Sequence, residues 1–284
     1  MEETGGSPLA IVEFKQVIYA YEAQDAPALD GISFTIERGE FVAVIGANGS
    51  GKSTLARHIN ALLTPDSGQV LTVGLDTSHE KTLFEIRSCA GYLFQNPDAQ
   101  MVTSVVADDV AFGPENLALA HEEIIERVDE ALGAVAMTDF SQRNPAHLSG
   151  GQKQRVCLAG LLAMRPDVLI LDEPGAMLDA RGRRGIRRIV RELSREGMTV
   201  ILITHFMEEA TLAERVLVLE QGRLAMMGTP VEVFSHKDRL RELALDVPFS
   251  LLLAEELRSR GIEVPETVTP EELKEELCRL YLSR

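Results

Sequence analysis

The stretch FVAVIGANGSGKSTLARHINALL, residues 41–63, constrains this chain more than any other. Phe41 to Gly46 is a continuous apolar run, the pattern of a strand buried on both faces. Residues 52–63 read as a helix. Between them the loop Gly46, Ala47, Asn48, Gly49, Ser50, Gly51, Lys52, Ser53, Thr54 satisfies G-x-x-x-x-G-K-S/T in the required context, after a strand and before a helix. Glycines there let the backbone wrap phosphates, so that amide N–H groups and the helix N-terminus face them. Lys52 supplies a point charge toward the outer phosphates of a nucleotide, and the Ser53 hydroxyl can ligate Mg2+. The unit belongs in an α/β domain.

Its partner should be an apolar strand ending in Asp, and VLILDE, Val168 to Glu173, fits. Asp172 is expected to hold the Mg2+ shell. Glu173 falls at the strand's C-terminal edge, where open α/β sheets bind ligands. A carboxylate there can orient and deprotonate an attacking water; alone, it would be a solvated strand-end acid. Further strands are read in FKQVIYAY, GISFTIERGE, GYLFQ and MTVILITH, and ERVLVLEQGRLAMMG reads as a hairpin turning at Gln221-Gly222.

Residues 96–148 show no strand pattern, and HEEIIERVDEALGAV puts Ile124, Val128, Leu132 and Val135 on one helical stripe. A helical insertion is expected here, within an α/β domain of residues 11–228. TPVE (Thr229 to Glu232) and TPEE (Thr269 to Glu272) each offer a Thr cap, a Pro at the first helical position and a Glu at the third. Residues 229–284 are therefore expected to form a small helical extension, and residues 1–10 a flexible tail.

Acids outnumber Lys and Arg 44 to 28, for a net charge of −16. Such a chain gains little from long-range attraction to nucleic acid or to an anionic lipid face. No nucleic-acid partner is expected, and any membrane attachment should run through a protein. The longest apolar runs, MTVILIT and FSLLLA, fall far short of the ~20 residues of a spanning helix, and the opening MEETGGSP lacks signal-peptide character. A soluble chain is expected. Cys89, Cys157 and Cys278 show no metal or disulfide spacing and are read as buried, inert thiols. The basic run RGRRGIRRIVRE, Arg181 to Glu192, is read as a helix with Arg184, Arg187 and Arg188 solvated and Ile186, Ile189 and Val190 turned inward. It lacks the aromatics that base stacking requires.

The run Leu148, Ser149, Gly150, Gly151, Gln152 is open to two readings. Ser149 can simply cap a helix beginning near Gly151. Alternatively, the glycines leave the amides open to a second anion. Because the first loop already surrounds one nucleotide's phosphates, that anion would belong to a second nucleotide brought by another subunit.

In order and spacing, GANGSGKST, the Gln of LFQNP, LSGGQ, LILDEP, MLD and ITH resemble the ATPase domain of ABC transporters across residues 11–228. The resemblance implies an α/β P-loop NTPase fold of the ABC type, with an antiparallel β subdomain, an inserted helical subdomain and the C-terminal helical extension. It implies two ATPase domains closing head to tail, each ATP held between one subunit's Gly46–Thr54 loop and the other's Leu148–Gln152 signature. By the same resemblance Gln95 links Mg2+ and the attacking water to a transmembrane partner, Asp179 reaches across the dimer, and His205 contacts the γ-phosphate. The catalytic set is then Glu173, His205 and Gln95, and the metal set Ser53, Gln95 and Asp172. Tyr21 falls where the family stacks an aromatic on adenine, with Tyr19 a near rival. The remaining histidines are read as surface residues. Gly175 stands where the family usually has Thr or Ser, which leaves the geometry between Glu173 and Asp179 open.

The stretch FQNPDAQMVTSVVADDVAFGPENLAL, residues 94–119, resembles the energy-coupling factor (ECF) ATPases, including their cobalt and nickel members. LALDVPFSLLLAEELRSRGIEV, residues 243–264, resembles the C-terminal extension of that group, and AMLD, with Met177, the first of its two ATPase paralogues. What this implies is an ATP-hydrolysing importer subunit for vitamins or transition-metal ions, peripheral on the cytoplasmic face of the cell membrane. Its implied partners are a second ATPase subunit (paralogue or copy), a transmembrane coupling protein and a substrate-binding membrane protein. An ATPase of another ABC transporter class is the alternative, and a soluble ABC ATPase a further one. Asp98, Asp108, Asp109 and Glu115 are expected to form either a docking face for a basic partner helix or a plain solvated face.

Overall fold

The computed structural model describes residues 10–22, 26–265 and 268–282. The flexible tail expected for residues 1–10 lies outside them, except for Ala10, which opens the first strand. In chain order the first half runs β1 (Ala10–Tyr19), β2 (Leu29–Glu37), β3 (Phe41–Gly46), α1 (Lys52–Ile59), β4 (Ser67–Thr72), β5 (Leu75–Asp76), α2 (Leu83–Cys89), β6 (Ala90–Leu93), α3 (Val106–Asn116) and α4 (His121–Ala134). The second half runs α5 (Gly150–Ala163), β7 (Val168–Asp172), α6 (Ala180–Arg195), β8 (Thr199–Ile203), α7 (Met207–Ala210), β9 (Arg215–Glu220), β10 (Arg223–Gly228), α8 (Pro230–Ser235), α9 (Lys237–Glu242), α10 (Phe249–Ser259) and α11 (Pro270–Leu282).

Two sheets carry the molecule. One is antiparallel, ordered β2-β1-β4-β5; the other is ordered β10-β9-β3-β8-β7-β6, parallel from β9 to β6 with β10 antiparallel at its edge. Strand alternation divides the interior in two. Val42 and Val44 join Phe14, Phe34, Ile36, Leu55 and Ile59 in a core between the antiparallel sheet, α1 and one face of the parallel sheet. Phe41, Ala43 and Ile45 join a second core with residues of α3, α4, α5 and α6. Burial on both faces is why β3, β7 and β8 read as unbroken apolar runs.

Helices α3, α4 and α5 pack together between β6 and β7 in sequence. Val128, Leu132 and Val135 of the expected stripe are buried. The first part of the C-terminal region, including Phe234, Leu240 and Leu251, shares the second core; Ala254, Val264 and Leu273 form a separate small cluster. Thr229 and Glu232 form the expected capping box, and Thr269 and Glu272 exchange the same pair of bonds.

Several expectations are corrected. Helix α1 stops at Ile59, where Asn60 turns its side chain to the Ala90 carbonyl and Ala61 takes a left-handed backbone (φ 52°). Strand β6 ends at Leu93, leaving Phe94 and Gln95 beyond it. The helix at the signature begins at Gly150, next to the expected start and with the expected Ser149 cap. His58 is not a surface residue: it is fully buried, with Nδ1 2.7 Å from the Thr54 carbonyl and its ring edge-on to Tyr19. Of the cysteines only Cys157 is buried, its thiol pushed up to about 12 by desolvation; Cys89 is half-buried and Cys278 exposed. Arg187 is half-buried beside Glu209, whereas Ile186, Ile189 and Val190 point inward as expected.

Candidate active site

The site grows from the end of β3. Gly46 closes the strand, residues 47–51 turn, and α1 starts at Lys52. Gly51 has φ +104°, and a Cβ there would run into the Ala28 carbonyl. The hairpin between β9 and β10 braces the same loop: Gly222 N donates to the Ser50 carbonyl at 3.0 Å, and Asp30 N donates to the Gly222 carbonyl at 2.8 Å. The glycines thus serve close backbone packing as well as anion access. Helix α1 has no side-chain cap, which leaves its first-turn N–H groups available to an anion.

A cavity of about 960 Å³ opens at this helix end, lined by Asn48, Gly49, Gly51, Lys52, Ser53 and Thr54 of the loop, by Glu173, and by Tyr21 and Arg223. Tyr21, not Tyr19, lines it; the Tyr21 hydroxyl lies 3.2 Å from Thr54 Oγ1, and Tyr19 packs instead on Tyr21 and His58. Lys52 is buried, and its ammonium donates to the Gly46 and Ala47 carbonyls at 2.8 and 3.0 Å. Desolvation lowers its pKa, opposed by the charges of Glu173 and Asp172.

Parallel pairing of β7 with β6 and β8 brings the acidic and polar groups together. Ser53 Oγ donates to Asp172 Oδ1 at 3.0 Å. Glu173 takes a left-handed backbone (φ 49°), keeps a ladder bond through N–H to the Ile203 carbonyl at 2.9 Å, and turns its carboxylate into the cavity. There Glu173 Oε2 accepts from Gln95 Nε2 at 2.8 Å, and Oε1 lies 2.5 Å from His205 Nε2. The three residues expected to be catalytic therefore meet at a single carboxylate. Ser53 and Asp172 oppose two hard oxygen donors, and the Gln95 carboxamide is tied through Nε2 to the adjoining Glu173. That donor chemistry fits Mg2+, which takes few protein oxygens and keeps several waters.

Two groups in this region were not singled out from the sequence. Tyr92 of β6 is buried and donates to Asp172 Oδ2 at 2.6 Å; burial, then the Asp172 charge, push its phenol pKa far up, so it stays a donor. A tyrosine inside a buried strand is the available signal, because its hydroxyl must find a partner. Glu209 of α7 is also buried and accepts from Thr204 Oγ1 at 2.5 Å, while Thr204 Oγ1 accepts from Phe206 N at 3.0 Å. Arg183 lies over the Phe206 ring at 4.4 Å. These contacts clamp the residues on either side of His205. A Cβ on Gly175 would sit 3.2 Å from both Arg183 Cγ and Glu209 Oε1, so the small residue gives that clamp room.

The signature lies elsewhere. Ser149 N donates to Gln152 Oε1 at 2.9 Å and Gln152 N donates to Ser149 Oγ at 3.4 Å, a reciprocal cap. None of Leu148, Ser149, Gly150, Gly151 and Gln152 lines the cavity. Gly151 packs near Gly182, and Asp179 caps α6 through Gly182 N at 2.6 Å. Signature and Asp179 thus share one surface, away from the Lys52 end. In the insertion, Asp98 pairs with Lys153 at 2.6 Å and Asp109 Oδ1 accepts from Val102 N and Thr103 N, so both are engaged inside the chain, whereas Asp108 and Glu115 are exposed.

Known proteins resemble this chain along most of its length. The ABC transporter family model matches residues 29–176, and that of the energy-coupling factor transporter EcfA1 C-terminal domain matches residues 248–284. The chain is 55% identical over 274 residues to the energy-coupling factor transporter ATP-binding protein EcfA1 of Symbiobacterium thermophilum, covering 93% of this chain and 96% of that one. It belongs to the energy-coupling factor transporter ATP-binding family. Its EcfA1 relative from Clostridium novyi is 48% identical over 275 residues, covering 95% and 98% of the two chains. Among solved structures, cbiO1 of Clostridium perfringens, described as part of the ABC transporter complex cbiONQ, superposes with a TM-score of 0.76 at 36% identity, covering 89% of this chain and 98% of that one. A dimeric post-hydrolysis state of the ATP-binding cassette MJ0796 with ADP and Pi gives 0.71 at 29%, covering 77% and 98%. The fold is that of an ABC ATPase, and the chain is an ATP-hydrolysing transporter subunit of the EcfA1 type.

Proposed function

We propose that this chain powers uptake of vitamins or transition-metal ions by hydrolysing ATP against a transmembrane coupling protein, paired with a second ATPase subunit and served by a substrate-binding membrane protein. It sits peripherally on the cytoplasmic face of the cell membrane. Among the described residues no helix is long and apolar enough to cross one. Residues 11–228 form the ATPase domain and 229–284 the extension; the Ala254–Val264–Leu273 cluster and the match over residues 248–284 support a separate distal part, while Phe234, Leu240 and Leu251 pack on the ATPase core.

The reading rests above all on the convergence of Gln95 and His205 on Glu173 beside the Ser53–Asp172 pair. Tyr21 lies against adenine, and residues 46–54 wrap the phosphates. Ser53, Asp172 and Gln95 would hold Mg2+, which would supply charge neutralisation on the phosphate oxygens. Glu173 orients the attacking water and takes its proton; Gln95 fixes that carboxylate from one side and His205 from the other. Lys52 and His205 stabilise charge on the transferring phosphoryl. Leu148–Gln152 and Asp179 act on the nucleotide held by the second subunit.

Replacing Glu173 by Gln tests the assignment. Phosphate release should fall by roughly 10²- to 10⁴-fold, the range of a lost general base, while ATP binding persists. Retained turnover would move the base elsewhere. Isolation of the chain from gently solubilised membranes should recover a multi-spanning coupling protein and a second ATPase. Recovery of intact cytosolic dimers alone would contradict the transport assembly.

A further inference from the structure

The segment Tyr92–Gln95 touches both acids of the site. Tyr92 pairs in parallel register with Ile170, which sets its ring against β7 two residues before Asp172. Its side chain is buried, and its hydroxyl donates to Asp172 Oδ2 at 2.6 Å. The other carboxylate oxygen, Oδ1, accepts from Ser53 Oγ at 3.0 Å. Three residues on, Gln95 holds Glu173. The backbone between is itself held: Gln100 Oε1 accepts from Phe94 N at 3.0 Å, Gln100 Nε2 donates to the Tyr92 carbonyl at 3.2 Å, and buried Gln154 of α5 donates to the Phe94 carbonyl at 3.2 Å.

A carboxylate at a strand end can rotate about its last torsion, and only one rotation presents Oδ1 to Ser53 and a cation. A donor fixed on Oδ2 selects that rotation. We propose that Tyr92 is a positioning residue for the metal centre, holding Asp172 by one oxygen so that the other faces Ser53 and a divalent cation. This rests on the reading of Ser53 and Asp172 as the metal set.

Tyr92→Phe removes only the hydroxyl and keeps the ring in its packing. The probe is Mn2+, titrated by electron paramagnetic resonance into the full-length chain saturated with ADP. Groups that orient a metal ligand typically change metal affinity by 10- to 100-fold when removed. Y92F should weaken Mn2+ binding by about tenfold or more, while ADP affinity in excess EDTA stays within about twofold of wild type. The double variant Tyr92→Phe/Asp172→Asn should bind Mn2+ no worse than D172N alone, because the hydroxyl acts through Asp172. Unchanged Mn2+ affinity in Y92F, or an equal loss of ADP affinity in EDTA, would overturn the inference and leave Tyr92 a packing residue. A wild-type ADP complex that binds no Mn2+ would overturn the metal reading of Ser53 and Asp172, and the inference with it.

Discussion

Helices α1 and α5 both begin at glycine-rich segments, and they differ in what satisfies their first amides. Helix α1 has no side-chain cap, opens into the 960 Å³ cavity, and keeps Lys52 and Thr54 buried behind its loop. Helix α5 closes its own end with the reciprocal Ser149–Gln152 bonds, and its leading residues Ser149 and Gly150 are exposed, outside the cavity. One end opens into a cavity of this chain. The other is stable by itself and is displayed on the surface shared with Asp179. Under the proposed function, a chain with this asymmetry carries unlike halves of two nucleotide sites.

The largest expected effect lies at the α1 end. Beyond Glu173→Gln, Lys52→Ala should weaken ATP binding by at least tenfold, because a buried ammonium held at the loop carbonyls is lost; an equilibrium titration with labelled ATP measures it. Unaltered affinity would detach the cavity from the nucleotide.

An intermediate effect is expected at the His205 clamp. Glu209→Ala should lower turnover by about tenfold, since Thr204 loses its acceptor and the backbone around His205 loosens, with ATP affinity little changed. The conservative Glu209→Gln keeps an acceptor for Thr204 and should recover most of the rate. It should also change the pH dependence of stability. Burial raises the Glu209 pKa above its ordinary value of 4.5, helped by Glu208 and opposed by the Thr204 bond, Arg187 and Arg183. The folded state therefore takes up the proton more readily than the unfolded one. That contribution to stability is full below 4.5 and is lost as pH rises through the raised pKa. Denaturation at a series of pH values should show E209Q gaining on the wild type as pH rises across that window. Parallel profiles would mean that Glu209 ionises as freely folded as unfolded.

The smallest effect sharpens the comparison most. The Thr229–Glu232 box has the same chemistry as Ser149–Gln152. Thr229→Ala should cost about 1 kcal/mol of stability and leave turnover unchanged. Ser149→Ala should cost a similar amount of stability and also slow turnover. Equal kinetic behaviour of the two variants would reduce the signature to a cap.

What was legible in the sequence was local. The strand–loop–helix at residues 41–59, the hairpin at Gln221-Gly222, the apolar stripe of α4 and the capping boxes each follow from spacing within a few residues. Ser149 shows the limit of that reading, because a plain cap and an anion site demand the same residues. Tyr92 went unread because its role arises from register between strands far apart in sequence, and Thr204 and Glu209 because their short-range bond matters only through burial and through Arg183 of α6. Tyr92 and Asp172 are 80 positions apart and meet only because β6 lies beside β7. His58 was misread for a similar reason, since α1 turns it toward Tyr19 of β1. The acids of the insertion looked alike in sequence, yet Asp98 and Asp109 are spent on internal contacts that only the folded loop reveals. Of the neighbours Asp108 and Asp109, only Asp108 can be reversed to Lys without breaking the loop that Asp109 holds.

Whether the signature serves this chain's own nucleotide or another's is tested most directly by the ATP affinity of Ser149→Arg at dilutions where the chain is monomeric. The expected result is affinity within about twofold of wild type, alongside a loss of turnover of at least 100-fold in the assembled ATPase pair. A tenfold or greater loss of affinity in a monomer that remains folded would place both glycine-rich helix ends on one nucleotide and contradict the two-half arrangement.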